Sequence, residues 1–365
     1  MTARLVIVGT PGDKRTAALA AAAARQGVDA RLVSWAAALA DPRVVAAAGQ
    51  AGDVLRVDSP GADGATWAAL ARLGGDTRPR ERDEWRAGRG WFAGLTTFLH
   101  ALDAHTTQLV PTHPTASILG MTDKRVCHER LAAAGVPVPA LLAEVGSAGE
   151  LRTQLDATGH DAVFVKPRWG SSGAGVLALR RQRGRELVVT TAELAGDQLI
   201  NRKRLRRYQL RAEIDRLLDR VLGDGAIVQR WLPKLGVADG PLDLRVVVMR
   251  GRLALAVARV GRGAITNLHL DARRLDVAVV QERVGTVAFA ALESACLRAA
   301  ASFAGHHTVG VDVMLDTRGR PFVLECNAWG DYLPRLLSAD GCDTYDLYLR
   351  DVFGARAMPQ LLGAS

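Results

Sequence analysis

Cysteines, aromatic residues and long apolar runs are all scarce in this chain of 365 residues. The four cysteines, Cys127, Cys296, Cys326 and Cys342, stand apart with no C-x-x-C pair among them. That spacing argues against a disulfide framework or a cysteine-zinc cluster and fits a reducing compartment. No apolar run approaches the length of a membrane span, and the opening ARLVIVGTPGDKR reads as a strand and a Gly/Pro turn, not a leader. A cytoplasmic location without a membrane partner is expected. The first turn, Gly9-Thr10-Pro11-Gly12-Asp13, lacks the G-x-G-x-x-G fingerprint, and no glycine-rich loop ends in Gly-Lys-Ser/Thr. Neither a dinucleotide nor a Walker A loop is therefore assigned.

Basic residues outnumber acidic ones by 47 to 38. The densest run, residues 201–211 (NRKRLRRYQLR), reads as helix-compatible through Arg220. Such a face is a solvated surface or a lid over phosphates. Only Tyr208 interleaves as a stacking platform, so nucleic acid is not an expected partner.

Short apolar strands at 5–8, 30–33 and 54–57 alternate with alanine-rich helical segments such as 16–26, the pattern of a small parallel sheet covered by helices. The expected division is an α/β unit over 1–115, a first lobe over 116–225 and a second over 226–365. Between 74 and 94 lies a polar stretch rich in arginine and tryptophan. Trp85, Arg86, Arg89 and Trp91 either shape a pocket for an acidic or aromatic substrate or belong to a surface excursion.

What the chain does contain is concentrated in residues 309–333, VGVDVMLDTRGRPFVLECNAWGDYL. Both flanks of Thr317-Arg318-Gly319-Arg320 alternate as a hairpin should. Residues two apart on a strand share a face, so Glu325 and Asn327 project together while Cys326 points away. Asp312 is placed to join them from the partner strand. Three oxygen donors suit a hard cation such as Mg²⁺ shared with phosphates; a polar strand end with surface acids is the plain alternative.

Upstream, residues 162–179 (AVFVKPRWGSSGAGVLAL) carry Lys166 near a strand end, then Gly170-Ser171-Ser172-Gly173-Ala174-Gly175. Such a loop lets backbone amides approach an anion, beside the lysine's charge. A flexible hairpin turn is the competing reading. Asp243 and Arg245 share a strand face, with Arg259 on the next strand, as in a cross-strand salt bridge.

The order Lys124, Lys166 with its glycine loop, Gln229-Arg230-Trp231-Leu232, Asp243-Leu244-Arg245, Arg259, Asn267, Asp312 and Glu325-Cys326-Asn327 resembles the ATP-grasp superfamily. It is most similar to the branch of ribosomal-protein glutamate ligases and glutathione-synthetase-like enzymes, with a bacterial subgroup suggested by Thr266-Asn267-Leu268-His269 and Asn327-Ala328-Trp329-Gly330-Asp331. The match runs from about residue 121 to 332. It implies a Rossmann-like pre-grasp domain that helps hold substrate, followed by two grasp lobes. By the same resemblance, ATP lies between the lobes and is consumed with one or two Mg²⁺ ions, or Mn²⁺. Lys124, Lys166 and the loop residues Gly170, Ser171, Ser172, Gly173 and Gly175 would bind phosphates, and Gln229, Arg230, Trp231 and Leu232 would grip adenine through main-chain groups. Arg245, Arg259 and Asn267 would serve the transferring phosphate, and Asp312, Glu325 and Asn327 the metal. His269-Leu270-Asp271 departs from the glycine-rich continuation of the glutamate ligases, which leaves the acceptor open. Residues 331–334, after the metal strand, would line the acceptor side. The implied reaction is ADP-forming ligation of a carboxylate, on a small molecule or peptide, to an amine. A small-molecule kinase or a non-catalytic nucleotide-binding regulator are the alternatives. Relatives are often dimers or tetramers, so a homo-oligomer is compatible with the resemblance.

Overall fold

The computed structural model describes residues 3–61, 63–78, 84–86, 88–170, 173–196, 198–237, 240–261, 263, 265 and 273–354. Three sheets organise these residues into mixed α/β architecture.

The first sheet is parallel, in the order β2 (Ala30–Ser34), β1 (Leu5–Gly9), β3 (Val54–Val57), β4 (Val110–Pro111). Every residue of β1 and β3 is buried, as expected where helices cover both faces. Those helices are α1 (Lys14–Arg25), α2 (Trp35–Ala40), α3 (Arg43–Ala47), α4 (Gly64–Leu73) and α5 (Arg89–His105). Asp13 accepts a hydrogen bond from the Arg15 amide and so caps α1, fixing the chain's turn beyond β1. Then α6 (Thr115–Thr122) and α7 (Lys124–Ala133) lead into the second unit.

That unit is an antiparallel sheet in the order β8 (Gln198–Tyr208), β7 (Arg185–Ala195), β6 (Leu177–Gln182), β5 (Ala162–Pro167), β9 (Ala226–Arg230). Helices α8 (Ala148–Thr158) and α9 (Arg211–Gly223) cover one face, where Val163 and Val165 pack with Leu151, Leu155, Leu217 and Leu218. Strict alternation along β5 leaves Phe164 and Lys166 on the opposite face.

After Arg230 the chain leaves this sheet for a third, in the order β13 (Arg273–Leu275), β12 (Arg252–Val260), β11 (Gly240–Met249), β14 (Thr308–Leu315), β15 (Pro321–Asn327), with β10 (Gly236–Val237) pairing β11. Helix α10 (Val277–Ala301), kinked at Gly285, lays Phe289, Leu292, Ala295 and Cys296 on its core, and α11 (Thr344–Phe353) packs near α1.

Three local expectations are corrected. Residues 201–208 form a strand, not a helix: Leu199 and Tyr208 anchor β8 in the core while Arg202, Arg204, Arg206 and Arg207 between them are exposed. The arginine- and tryptophan-rich segment is more than a surface excursion, since Trp85 is buried among first-lobe residues and its amide donates to the Leu199 carbonyl (2.7 Å). Finally, α10 is long and apolar enough to cross a membrane by length and composition, which the sequence reading passed over; its apolar side chains include several spent on the third sheet.

Candidate active site

The third sheet builds the carboxylate cluster. Asp312 on β14 pairs in register with Glu325 on β15, and Gly310 pairs with Asn327. Cys326, between the two polar residues, is buried, so Glu325 and Asn327 share the other face as alternation requires. The Asn327 amide nitrogen lies 3.4 Å from Glu325 Oε1 and 3.5 Å from Asp312 Oδ2. The three side chains thus converge.

Two arginines from β11 and β12 face them. Arg245 grips Asp312 at both ends, donating from Nε to Oδ1 (2.6 Å) and from Nη2 to Oδ2 (2.8 Å). Arg259 donates to Asp312 Oδ1 (2.9 Å) and to Asp243 Oδ1 (2.7 Å). The cross-strand salt bridge between Asp243 and Arg259 is therefore present, and it runs on to Asp312. Burial alone would raise the Asp312 carboxyl, but Arg245 and Arg259 hold it well below the usual carboxylate range.

This donor set fits a hard divalent cation. Each carboxylate oxygen accepts at two lone pairs; the arginines fill both on Asp312 Oδ1 but only one on Oδ2, beside Asn327. A half-turn of the Asn327 amide exchanges its nitrogen for its carbonyl oxygen and completes an all-oxygen set with Glu325.

The phosphate-side lysines come from the other lobe. Asp123 caps α7 through the Arg125 and Val126 amides and also accepts from Arg168 Nε (2.8 Å) and Trp169 Nε1 (3.1 Å). It thereby ties the exit of β5 to the start of α7, where the Lys124 amide donates to the Arg168 carbonyl (3.1 Å). The Lys124 ammonium donates to the Gly170 carbonyl and lies 3.6 Å from Glu325 Oε2. Gly173 and Gly175 both have positive φ, and a Cβ on Gly175 would collide with the Trp85 indole. Ser171, Ser172, Asn267 and His269 fall outside the described residues.

Lys166 donates to Gln229 Oε1 (2.6 Å) across paired strands. Burial pushes its ammonium down to about 8; Glu325 opposes this shift, while Lys124 and Lys234 add to it. If Lys166 meets phosphate as a cation, nucleotide affinity should fall as pH rises through 8 in the wild type. Titration of Mg·ATP binding between pH 6.5 and 9.5, compared with Lys166→Arg, checks this: the arginine variant should stay flat across that range.

At the strand crossover, the Arg230 amide donates to the Ala140 carbonyl (2.8 Å) and that of Trp231 to the Ala162 carbonyl (3.0 Å). The Trp231 ring lies 5.0 Å from Phe164, beside Lys166, while Arg230 is exposed and Leu232 half-buried. The structure thus brings Lys124, Lys166, Gln229, Arg245, Arg259, Asp312, Glu325 and Asn327 into one neighbourhood.

Lys234 joins it unforeseen, its ammonium 2.6 Å from Asp243 Oδ2. A lone lysine after Trp231-Leu232-Pro233 carries no sequence signal of that placement.

Where the loop beyond the metal strand crosses β14, glycine is required on both sides. A Cβ on Gly310 would lie 2.7 Å from the Gly330 carbonyl oxygen, and one on Gly330 2.7 Å from the Gly310 Cα and 2.9 Å from Arg245 Nη1. Gly310→Ala is expected to cost about 1–3 kcal/mol, because backbone rather than a yielding side chain is struck. Urea denaturation measures it, with exposed Gly52→Ala as the contrasting strain at positive φ alone.

A family model described as YheC/D-like ATP-grasp matches residues 120–331. Among solved structures, D-cycloserine synthetase DcsG is similar over 95% of this chain and 99% of its own, with TM-score 0.57 and 18% identity. ATP-grasp ligase PsnB, complexed with minimal precursor, aligns over 91% and 92% (TM-score 0.51, 18% identity). D-alanine–D-alanine ligase from Bacillus anthracis, complexed with ATP, aligns over 95% of each chain (TM-score 0.50, 12% identity). No curated protein matches the chain. These likenesses carry the fold, and they span several ligase branches without singling out the glutamate-ligase one. The matched family model covers more than half of the sequence, and the chain belongs to the YheC/D-like ATP-grasp family.

Proposed function

We propose that the protein is an ATP-dependent ligase that joins a carboxylate to an amine through an acyl phosphate, releasing ADP and phosphate. The observation that carries the reading is the reach of Lys124. It touches the glycine-loop backbone at Gly170 and stands 3.6 Å from Glu325, so the phosphate side and the carboxylate cluster border one space. The names of the similar structures, two ligases and a synthetase, point the same way.

In this reading adenine lies along residues 229–232, against Trp231 and Phe164, and Lys124 and Lys166 neutralise phosphate oxygens. Magnesium held by Asp312, Glu325 and Asn327 would screen the charge that builds on the transferring phosphoryl group. A substrate carboxylate oxygen attacks the γ-phosphorus and ADP departs. The amine nitrogen then attacks the acyl carbon, phosphate leaves, and the nitrogen loses a proton. Arg245 and Arg259 contribute fixed positive charge beside the reacting phosphate, and their ion pairs with Asp312 keep them from reorienting during the step. No protein nucleophile is needed. The chemistry rests on positioning and on exclusion of water from the acyl phosphate.

Release of ADP and phosphate with Mg·ATP, screened over amino acids and dipeptides, tests the reading, with the product identified by mass. An amide formed with equimolar ADP supports it. A phosphate ester as the product would turn it to the kinase alternative, and nucleotide binding without turnover to the regulator.

A further inference from the structure

The crevice at the carboxyl ends of β1 and β3 holds four charged groups that the phosphate and metal chemistry leaves unused. In the order β2-β1-β3-β4, chain connections depart in opposite directions from β1 and β3, so the gap between their ends is where open parallel sheets take ligands. Arg15 stands there in the first turn of α1, Arg56 on β3, and Asp58 immediately after it. The metal strand's own continuation closes over them. Trp329 Nε1 donates to the Val57 carbonyl (3.0 Å), and Asp331 accepts from Arg15 and from Arg56 Nη2 (2.5 Å). Asp331 follows Asn327 by four positions, at most about 14 Å of chain.

The four are unequally satisfied. Asp331 has a close arginine on each oxygen. Asp58 is fully buried, yet neither of its oxygens has a hydrogen bond among the described residues. Its nearest cations are Arg56 at 3.6 Å and Arg15 at 3.9 Å, and the Ser59 amide adds only a minor interaction. Burial raises the Asp58 carboxyl while Arg56 and Arg15 oppose that rise; in its ionised form it only accepts, so what it lacks is a set of N–H donors. Arg15 is the one member with appreciable exposure, its side chain 18% accessible, and it lies over the Tyr332 ring at 5.5 Å. Arg15 and Tyr332, both half-buried, therefore form the side of the group nearest to solvent.

We propose that Asp58 is the anchor for a primary ammonium group of the substrate, and hence that the ligase takes a free amino acid or amine whose nitrogen enters beside Arg15. This deepens the ligase reading and rests on it for the word substrate, but the binding event can be measured without turnover. Two guanidiniums already stand beside Asp58 Oδ1, so a compact ammonium with three N–H donors suits the Oδ2 side better than a third planar cation. Arg15, next to the entrance, favours an anionic group on the same ligand, which selects amino acids over simple amines.

Calorimetry on the full chain, with glycine, the alanine enantiomers, L-lysine and their N-acetyl derivatives as probes, tests the assignment alongside Mg·ATP. At least one free amino acid should bind, its N-acetyl form at least tenfold more weakly. Asp58→Asn should lose at least tenfold in that affinity while Mg·ATP affinity stays within twofold. If Asp58→Asn does not fold, Asp58→Glu keeps the charge balance with both arginines but moves the carboxylate by one methylene, and the same loss is expected. Equal binding of the acetylated probes, full affinity in either variant, or no free amino acid bound by the wild type would overturn the proposal. Amino-acid binding that depends on Asp58 in a protein that takes up no Mg·ATP would uphold it while removing the ligase reading.

Discussion

Glu325→Ala is expected to lower ADP formation by about 10³-fold, with little change in folding stability. Of the two carboxylates, Asp312 is clamped by arginines, whereas the nearest cation to Glu325 among the described residues is Lys124 at 3.6 Å. Asp312, by contrast, already accepts three arginine hydrogen bonds. A divalent cation placed among them would draw most of its countercharge from Glu325. Its side chain is also 29% exposed, so truncation leaves no buried hole and the expected stability change is within about 0.5 kcal/mol. The deficit should be steepest at low Mg²⁺ and shrink in part as Mg²⁺ is raised. A coupled ADP assay across a Mg²⁺ series, run beside thermal melts, reads both quantities. Wild-type turnover in the alanine variant would remove Glu325 from the metal-binding group.

The carboxylate hairpin was legible because its information is local. A turn signal at 317–320 and period-two alternation place Asp312, Glu325 and Asn327 on one face with no knowledge of the rest of the fold, and the register bears this out. Lys166 and its glycine loop were readable for the same reason. The basic stretch was misread because its run of exposed positions carries no period; strand geometry there comes from Leu199 and Tyr208, whose burial depends on the distant first-lobe core. Lys234 and the Arg15–Arg56–Asp58–Asp331 group escaped for a related reason. Lys234, nine residues before Asp243, lies outside any named strand, and Asp331 is 316 residues from Arg15. No spacing rule reaches that far, and a buried arginine on a four-residue strand looks like any solvent-facing one. Trp85 was read as a pocket or surface residue and Trp329 only as part of a subgroup motif, yet Trp85 lies against Gly175 and Trp329 bonds to Val57, two junctions between units.

Asp312→Ala is expected to be the most damaging substitution to stability, at about 3–5 kcal/mol, because it strands two guanidiniums rather than one. Arg245 would keep only the Gly330 carbonyl at 3.2 Å, and Arg259 only Asp243. Both arginines are largely buried, so solvent cannot replace the lost carboxylate. Asp312→Asn preserves the shape and one acceptor oxygen and should cost roughly half as much. The pH dependence separates this ion-pair account from simple packing. The folded carboxyl titrates below its unfolded value, so its stabilisation is complete above about pH 4 and fades as pH falls through the lower folded value. The gap between wild type and Asp312→Asn should therefore be the same at pH 5 and pH 7 and narrow only in stronger acid. Urea denaturation at those two values and near pH 3 measures it. A gap that narrows already between pH 7 and pH 5 would overturn this account, because the buried histidines cannot produce it: His306 and His307 are held near 4 by burial, so acidification destabilises the folded state from about pH 6.5 downward in every variant alike. Only the difference between wild type and variant isolates the arginine clamp, and that difference should be flat where the histidines titrate.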